Sequence, residues 1–430
     1  MSGYTEDHLI EQPAIQLMEH ELGWDSVNAY DEWSSGVSNL GREAKREVVL
    51  TGRLKPALQS LNPELPAEAL DAAVEELTRD RSALSLVEAN REIDKLLRGG
   101  VKVTIPDRER GGQRVVVVRV IDWDDAAAND FLLVSQFWIT GDLYTRRTDL
   151  IGFVNGLPLV LIELKKPGVN VREAFDKNLA DYKETIPQLF HYNGFLLVSN
   201  GVQSKIGSLT AEWERFGDWK KVAEEKETPD ISLNTLLRGT CEKSRLLDLV
   251  ENFTRFSESK GAVGKLVARN HQFLGVNRAV EALKTTEDGR VGVFWHTQGS
   301  GKSYSMVFFS EKVFREMVKF SKDLNEEEQR HLREPKETEA IKMVCKDLLA
   351  KLKTELLVLA WRNKRTRAPQ CGSRSRRCWL PGCRRNTRPT FSRRSAECSS
   401  STCWRSIQIK ARVCMGKRVE SSGRDSLGEI

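Results

Sequence analysis

The sequence contains no apolar run long enough to cross a membrane, which takes about 20 consecutive residues. Its first residues, MSGYTEDHLIEQ, have neither the basic start nor the apolar core of a secretory signal. No two cysteines stand in a CxxC spacing, so the eight cysteines match no common zinc site and indicate no disulfide framework. These absences argue against a membrane or secreted protein, and we expect a cytoplasmic one.

Most of the chain has no excess of basic residues, although the formal net charge is +6. Residues 363–430 carry 17 Lys and Arg against 4 Asp and Glu, a surplus of 13, which leaves about −7 for the first 362 residues. Six of the eight cysteines also fall in that final segment. The overall charge is therefore no evidence that the main body of the chain binds nucleic acid.

What the chain has is an ordinary globular composition, 40% hydrophobic and 30% charged over 430 residues, enough for two or three domains. Apolar periodicity and β-branched runs predict both helices and strands. Helices are predicted at residues 5–22, 40–98, 171–185, 246–256 and 263–283, strands at 101–105, 113–123, 129–139 and 194–199, and a polar crossing at 216–246. This order favours an α/β fold with a central sheet flanked by helices.

The segment RTDLIGFVNGLPLVLIELK, residues 147–165, predicts a β-hairpin. Its two halves are rich in β-forming residues, and Asn155-Gly156 between them is a strong hairpin signal because both turn positions need a positive φ. Pairing about this turn places Asp149 across from about residue 162. Glu163 and Lys165, two residues apart, project to the same side of their strand. Two carboxylates and an ammonium are therefore expected to converge at one end of the hairpin.

Two carboxylates and the backbone carbonyl of Leu164 suit a Mg²⁺ ion that keeps several waters. Such an ion lowers the pKa of a bound water and polarises a phosphoryl oxygen, while Lys165 would hold the attacking hydroxide or stabilise developing charge. Asp149, Glu163 and Lys165 are thus candidate catalytic residues of a magnesium-dependent phosphodiesterase, with DNA cleavage as the leading interpretation. The alternative is a solvated strand edge, since such a spacing occurs by chance in charge-rich chains. Glu11 on the first predicted helix either reaches the metal site or faces solvent.

A second motif begins at residue 292, where GVFWHTQGSGKS runs from an apolar strand into a glycine-rich turn and a predicted helix. This is the context of a P-loop, whose backbone amides hold nucleotide phosphates. Lys302 would reach the β and γ oxygens, Ser303 would ligate Mg²⁺, and His296 stands where the first glycine is usual. The candidate ATP-binding residues of the loop are Thr297, Gln298, Gly299, Ser300, Gly301, Lys302 and Ser303. A Gly/Ser connector is the alternative, and no apolar strand ending in Asp-Glu follows to support hydrolysis.

Taken together, these segments resemble the restriction (R) subunit of type I restriction-modification enzymes, in order and spacing through about residue 318. The segments that carry the resemblance are RTDLIGFVNGLPLVLIELKKPG, AFDKNLADYKETIPQLFHYNGFLLVSNG, RNHQFLGVNRAVEAL and WHTQGSGKS. The resemblance implies a PD-(D/E)xK nuclease domain, a mixed sheet flanked by helices, with Asp149, Glu163 and Lys165 as its catalytic set. Thr148 replaces a Pro that the family pattern often has.

The resemblance also implies supporting residues, cofactors and partners. Asn178 and Tyr182 stand where the family typically has Gln-xxx-Tyr, and Gln272 looks like the adenine-reading glutamine of superfamily 2 motors. The implied cofactors are Mg²⁺ and ATP. The implied partners are double-stranded DNA and the modification (methyltransferase) and specificity subunits, which choose the DNA sequence, with no membrane involved.

By this resemblance the chain has four segments. Residues 1–225 form the endonuclease domain, 226–318 an incomplete RecA-like motor domain with the P-loop, 319–362 a remnant of the C-terminal helical region, and 363–430 a tail. The family's motor normally continues into a DEAD-like box, so we expect an internal deletion near residue 320. The tail has neither helical nor strand period and is expected to be disordered or out of frame, with a basic nucleic-acid arm as the alternative.

The expected function is therefore ATP- and Mg²⁺-dependent double-strand DNA cleavage within a restriction-modification complex, with defective translocation. Two other functions stay open. One is a metal-dependent DNA nuclease that needs no ATP, and the other is a non-catalytic remnant that binds the modification complex.

Overall fold

The computed structural model of the chain describes residues 10–106, 111–223, 230–259, 261–285, 297 and 299–322. The chain divides into two units, Met1–Leu274 and Gly275–Ile430. The helices are α1 (Gln12–Gln16), α2 (Thr51–Leu61), α3 (Ala67–Thr78), α4 (Leu86–Gly99), α5 (Ala180–Thr185), α6 (Ser232–Thr240), α7 (Lys243–Phe253), α8 (Asn270–Thr285) and α9 (Lys302–Lys322). The strands are β1 (Asp25–Asn28), β2 (Val101–Pro106), β3 (Gln113–Val118), β4 (Phe131–Thr140), β5 (Thr145–Val154), β6 (Leu157–Leu164), β7 (Phe195–Ser199), β8 (Ser204–Gly207), β9 (Gly217–Asp218), β10 (Thr254–Ser259) and β11 (Ala262–Val267). The π-helical stretch Leu17–Glu21 follows α1, and a second one, Ala174–Leu179, precedes α5.

Seven strands of the first unit form one mixed sheet in the order β1-β4-β5-β6-β7-β8-β9. β1 pairs with β4 and β6 pairs with β7 in parallel, and the other neighbours are antiparallel. Every residue of β6 and β7 is buried, which explains why both segments read as continuous apolar runs. The predicted mixed α/β fold with a central sheet is confirmed.

The β5–β6 hairpin turns at Asn155-Gly156 as predicted, with φ angles of 50° and 77°. The buried Asn155 side chain donates from Nδ2 to the Val120 carbonyl (2.8 Å) and accepts from the Asp130 amide (2.8 Å). The Leu50 amide donates to the Gly156 carbonyl at 2.9 Å. A Cβ on Gly156 would lie 2.5 Å from the Leu50 carbonyl oxygen, so the turn requires glycine on steric grounds as well as for its φ. The turn is therefore anchored in the core.

The helices between residues 51 and 99 follow local signals. α4 begins with a capping box, in which the Ser85 side chain accepts from the Glu88 amide and the Glu88 carboxylate returns to Ser85. The prediction of helix throughout 40–98 is wrong for residues 40–50, 62–66 and 79–85, which form turns and irregular backbone. Within residues 40–50 the Lys45 carbonyl accepts from the Thr140 amide at 3.0 Å and the Glu47 carbonyl accepts from Arg42 Nη1 at 2.8 Å, so these backbone groups are paired outside a helix.

Two further hairpins form separate two-stranded sheets. β2 pairs with β3 in register Val101↔Val118, so these predicted strands are not part of the central sheet. β10 and β11 were not predicted, and the expectation that a helix begins at residue 263 is wrong, because residues 262–267 form β11 and α8 begins at Asn270. A short apolar pattern fits a strand as well as a helix, and only tertiary contacts decide between them.

The predicted polar crossing at 216–246 contains more structure than expected. It includes α6, whose Leu236 and Leu237 are fully buried, and the start of α7. Predictions for the strand at 292–296, for residues 1–9 and for 323–430 lie outside the described residues. Among the helices of the described part, none is long and apolar enough to cross a membrane.

Candidate active site

The pairing of β5 with β6 brings Asp149 opposite Glu163. Next to the turn Val154 pairs with Leu157, but the register shifts between Gly152 and Phe153, and beyond that bulge Leu150 pairs with Ile162. Continuing this register by one residue puts Asp149 opposite Glu163, one position beyond the predicted partner. Residues directly opposite share a face of the sheet, whereas residue 162 faces the other way. The bulge is therefore what lets the two carboxylates converge.

Hydrogen bonds connect the predicted catalytic residues. Asp149 Oδ2 accepts from the backbone amide of Leu164 at 2.8 Å. The Lys165 ammonium lies 3.2 Å from Glu163 Oε1 and 2.9 Å from the Leu164 carbonyl oxygen. The structure thus brings Asp149, Glu163, Lys165 and the Leu164 carbonyl together, as the hairpin predicts.

The two acids differ in their surroundings. Glu163 is fully buried, and its Oε2 atom has no hydrogen-bond partner among the described residues, while Asp149 is only partly buried. Burial raises the pKa of Glu163 well above its usual value, and the nearby charge of Asp149 raises it further. Burial also raises the pKa of Asp149, against the Leu164 amide and the Lys165 charge, which lower it. Without a further cation, this pair favours a bound proton over two negative charges.

Tyr182 and Asn178 lie beside the acids. The Tyr182 hydroxyl donates to the Arg147 carbonyl at 2.9 Å, on the strand that carries Asp149. Burial raises the pKa of Tyr182, the charge of Glu163 raises it further, and a hydrogen bond with Asn178 opposes this rise. Asn178 belongs to the π-helical stretch before α5, a local distortion that is frequent at functional sites.

Glu11 is buried and does not face solvent. Its two carboxylate oxygens accept from Gln136 Nε2 at 2.8 and 2.7 Å. Within the described part of the chain, no three Asp, Glu, His or Cys side chains come together closely enough to hold a metal ion, so Glu11 does not complete such a group with Asp149 and Glu163. Gln136 was not identified from the sequence; it has a φ of +57° inside a strand, and no sequence signal indicates that.

The candidate P-loop lies in the second unit, directly before α9. Gly299 and Gly301 have φ angles of 82° and 85°, and Lys302 begins the helix. Lys302 Nζ donates to the Thr297 carbonyl at 3.1 Å, so the side chain folds back over the loop. Ser300 and Ser303 complete the described residues of the loop, whereas His296 and Gln298 lie outside the described residues.

Gln272 lies in the first unit, near the start of α8. Its side-chain oxygen accepts from the Arg269 amide at 2.9 Å, and the residue is buried. In this position Gln272 caps the helix, and recognition of adenine by Gln272 stays a prediction.

Comparisons with known proteins identify the family to which this chain is similar. Residues 3–215 match the model of the type I restriction enzyme R protein N terminus, and residues 271–329 match a SWI2/SNF2 ATPase model. The chain is 38% identical over 320 residues to the type I restriction enzyme HindI endonuclease subunit of Haemophilus influenzae, which covers 71% of this chain and 30% of that protein. It is 28% identical over 198 residues to the type I restriction enzyme SsaAORF53P endonuclease subunit of Staphylococcus saprophyticus, covering 45% of this chain and 20% of that protein.

The chain thus spans at most about 30% of the length of these relatives. The matches agree with the order of the two motifs, since the hairpin falls in the N-terminal model and the loop in the ATPase model. The chain belongs to the type I restriction endonuclease family, as a homologue of its R (endonuclease) subunit.

Proposed function

We propose that this chain is a Mg²⁺-dependent DNA endonuclease subunit whose hydrolytic centre consists of Asp149, Glu163 and Lys165. The observation that carries the proposal is the buried Glu163 Oε2 atom without a partner, beside a second carboxylate and an ammonium. A solvated strand edge, the alternative interpretation, would not bury Glu163 completely. Family membership supports DNA as the substrate.

A divalent cation fits this donor set. The pKa values of both carboxyl groups are raised, and a cation between them would stabilise their ionised forms. The unpartnered oxygen of Glu163 offers that cation a ligand. The carbonyl of Leu164 is a third oxygen at the same place, and Mg²⁺ prefers oxygen ligands and retains waters. When bound, Mg²⁺ supplies a polarised phosphoryl oxygen and a more acidic water.

The other contributions to catalysis come from side chains that are already held in position. Lys165 is held by Glu163 and the Leu164 carbonyl, and its side chain is 17% exposed, so part of it is open to solvent. In this position it stabilises negative charge that develops on the phosphate. Tyr182 ties α5 to the backbone of the strand that carries Asp149 and is a positioning residue, supported by Asn178.

The second motif would add nucleotide binding. Lys302 and the amides at the start of α9 would bind the phosphates of ATP, with Mg²⁺ on Ser303. As for partners, we propose that the chain associates with modification and specificity subunits. No apolar strand ending in Asp-Glu follows Ser303 in this chain, so we propose that it binds ATP weakly and does not translocate DNA.

The test is cleavage of supercoiled plasmid by the purified chain in Mg²⁺, with and without ATP and the two partner subunits. Asp149→Asn and Lys165→Ala should each reduce cleavage by about a hundredfold or more at unchanged melting temperature. Asp176→Asn is the matched control, because Asp176 is an exposed carboxylate paired with Arg172. Cleavage that persists in D149N and K165A would contradict the proposal.

The same assay separates the other functions. Cleavage without ATP identifies a nuclease that needs only metal. No cleavage under any condition, together with binding to the partner subunits in a pull-down, identifies a non-catalytic remnant.

A further inference from the structure

Two cations, one exposed and one half-buried, rest on the ring of Trp138, whose strand β4 pairs with the strand that carries Asp149. Arg147 is exposed, and its guanidinium carbon lies 5.2 Å from the ring centre of Tyr30 and 5.3 Å from that of Trp138. Lys45 Nζ lies 5.4 Å from the Trp138 ring. The negative face of an aromatic ring attracts a cation at such distances. We call Tyr30, Lys45, Trp138 and Arg147 the cation–aromatic ledge.

The neighbouring arginine side chains form ion pairs with carboxylates, whereas Arg147 and Lys45 form none within the described part of the chain. Arg146 pairs with Asp181, and Arg46 pairs with Asp142 at 2.9 Å. Among the described residues, neither Arg147 nor Lys45 has a carboxylate within ion-pair distance. An aromatic ring holds a cation in place without cancelling its charge, so the ledge presents two positioned positive charges to an anion from solvent.

The rings that hold these cations are themselves fixed. Trp138 Nε1 donates to the Tyr30 carbonyl at 3.2 Å, and the Trp138 carbonyl accepts from Arg42 Nη2 at 3.1 Å. Arg42 is fully buried and ion-paired with the equally buried Glu32. Tyr30 is 54% exposed, so the outer rim of the ledge remains accessible. The ledge is therefore preorganised, which lowers the entropy cost of binding an anion.

The ledge adjoins the candidate active site. Arg147 precedes Asp149 by two residues on β5, which corresponds to about 6.8 Å along a strand. Its charge is felt at Asp149, where it helps to lower a pKa that burial raises. A nucleotide of one DNA strand rises by about 3.4 Å along the helix axis, so a phosphate on the ledge would belong to the nucleotides that flank the cleaved bond.

We propose that Arg147 and Lys45 each bind a backbone phosphate of the DNA near the scissile phosphate, with Trp138 and Tyr30 as positioning residues. A guanidinium presents a planar fork of donors that matches a phosphate, and its location beside Asp149 favours DNA over an acidic protein segment. The choice of DNA rests on the proposed nuclease function. The contact itself is a binding interaction that does not depend on catalysis.

The test is fluorescence anisotropy of a labelled DNA duplex with the full chain in EDTA, between about 50 and about 200 mM salt. Arg147→Gln and Lys45→Gln should each weaken binding about three- to tenfold, and each should reduce the salt slope by about 0.9 because one phosphate contact is lost. The control is Arg114→Gln, since Arg114 is an exposed arginine on the separate β2–β3 hairpin and should bind like wild type.

Positioning by the ring has its own readout. Trp138→Phe keeps an aromatic face and should retain most of the affinity for DNA. Trp138→Leu should weaken DNA binding as much as R147Q does, and both Trp138 variants should keep the melting temperature of wild type. Equal affinities for W138F and W138L would show that the ring does not hold the cations for binding.

The proposed phosphate contacts are overturned if R147Q and K45Q bind the duplex with the affinity and salt slope of wild type. They are also overturned if the wild-type chain fails to bind the duplex at low salt. The outcome is independent of cleavage. If wild type cuts DNA but R147Q binds normally, the ledge falls and the nuclease stands. If wild type does not cut but R147Q binds more weakly, the ledge stands and the nuclease falls.

Discussion

The side-chain amide of Gln136 donates to both carboxylate oxygens of Glu11, at 2.8 and 2.7 Å, from a strand position with a φ of +57°. The register pairs Ser135 with Leu150 and Phe137 with Thr148, so Gln136 stands opposite Asp149. A left-handed glutamine costs roughly 1–2 kcal/mol, and such strain persists where other contacts impose it. This contact links the first helix to the strand beside the candidate active site.

Removing that contact should destabilise the first unit. Gln136→Ala keeps the unfavourable φ and loses the hydrogen bonds to a buried carboxylate, so we expect a loss of about 1–3 kcal/mol in the free energy of unfolding. Gln136→Gly relieves the strained φ and should lose less, since glycine adopts this conformation freely. Urea denaturation of the two variants measures the difference. A Q136G variant that is less stable than Q136A would show that the strained φ is unimportant.

Glu163 should destabilise the metal-free protein at alkaline pH. Its pKa is raised by burial and by Asp149, so the folded carboxyl binds its proton more tightly than the unfolded one, whose pKa is about 4.3. The resulting stability is present below that unfolded value and is lost as pH rises through the folded pKa. In EDTA at pH about 8, Glu163→Gln should therefore raise the free energy of unfolding, with no gain near pH 4.

Thermal melting of E163Q and wild type at both pH values checks this expectation, with Asp176→Asn as the surface control. If E163Q melts below wild type at the higher pH, then the buried carboxylate is already compensated in the metal-free chain.

Lys265 should make stability depend on pH in the alkaline range. This buried lysine donates to Asn90 Oδ1 at 2.9 Å and to the Asn193 carbonyl at 2.5 Å, and burial lowers its pKa to about 8. The unfolded lysine, with a pKa of about 10.4, binds more protons in this window, so stability rises with pH. Between pH 8 and 10 wild type should gain about 2 kcal/mol from this group, and Lys265→Met should lose the gain.

Urea denaturation at the two ends of that range measures the slope, and exposed Lys95→Met serves as the control. A slope in K265M equal to that of wild type would assign the pH dependence to other groups.

The P-loop should bind nucleotide without turnover. Lys302→Ala removes the side chain that would reach the phosphates, so binding of a fluorescent ATP analogue in Mg²⁺ should weaken by about tenfold or more. Wild type should show no DNA-stimulated phosphate release. Turnover that DNA stimulates and K302A abolishes would contradict this expectation and establish a working motor.

The sequence indicates the chemistry of the site better than its geometry. Asn155-Gly156 and the apolar run before Glu163 are local signals, and they correctly place the hairpin. The bulge beside Gly152 does have a local signal, because an isolated glycine within a strand pattern suggests a bulge, but pairing at a constant offset from the turn makes no use of it. Constant pairing therefore misplaces the partner of Asp149 by one residue.

Other differences between the predicted and the observed structure arise from long-range contacts. The left-handed Gln136 is held by a residue more than one hundred positions away, so no window of sequence contains its cause. β11 carries apolar spacing that also fits a helix, and Lys265 N pairs with Thr210 Oγ1 at 2.7 Å, which requires an extended chain. Long-range contacts of this kind override local propensity.

The central claim is that Asp149 and Glu163 together hold a divalent cation. Titration of the nucleotide-free chain with Mn²⁺, followed by calorimetry, tests it most directly, because the Ser303 site requires a nucleotide. We predict a single site in wild type that D149N and E163Q each abolish and that D176N retains. Binding of equal strength in D149N, E163Q and wild type, or no binding to wild type, would contradict the claim.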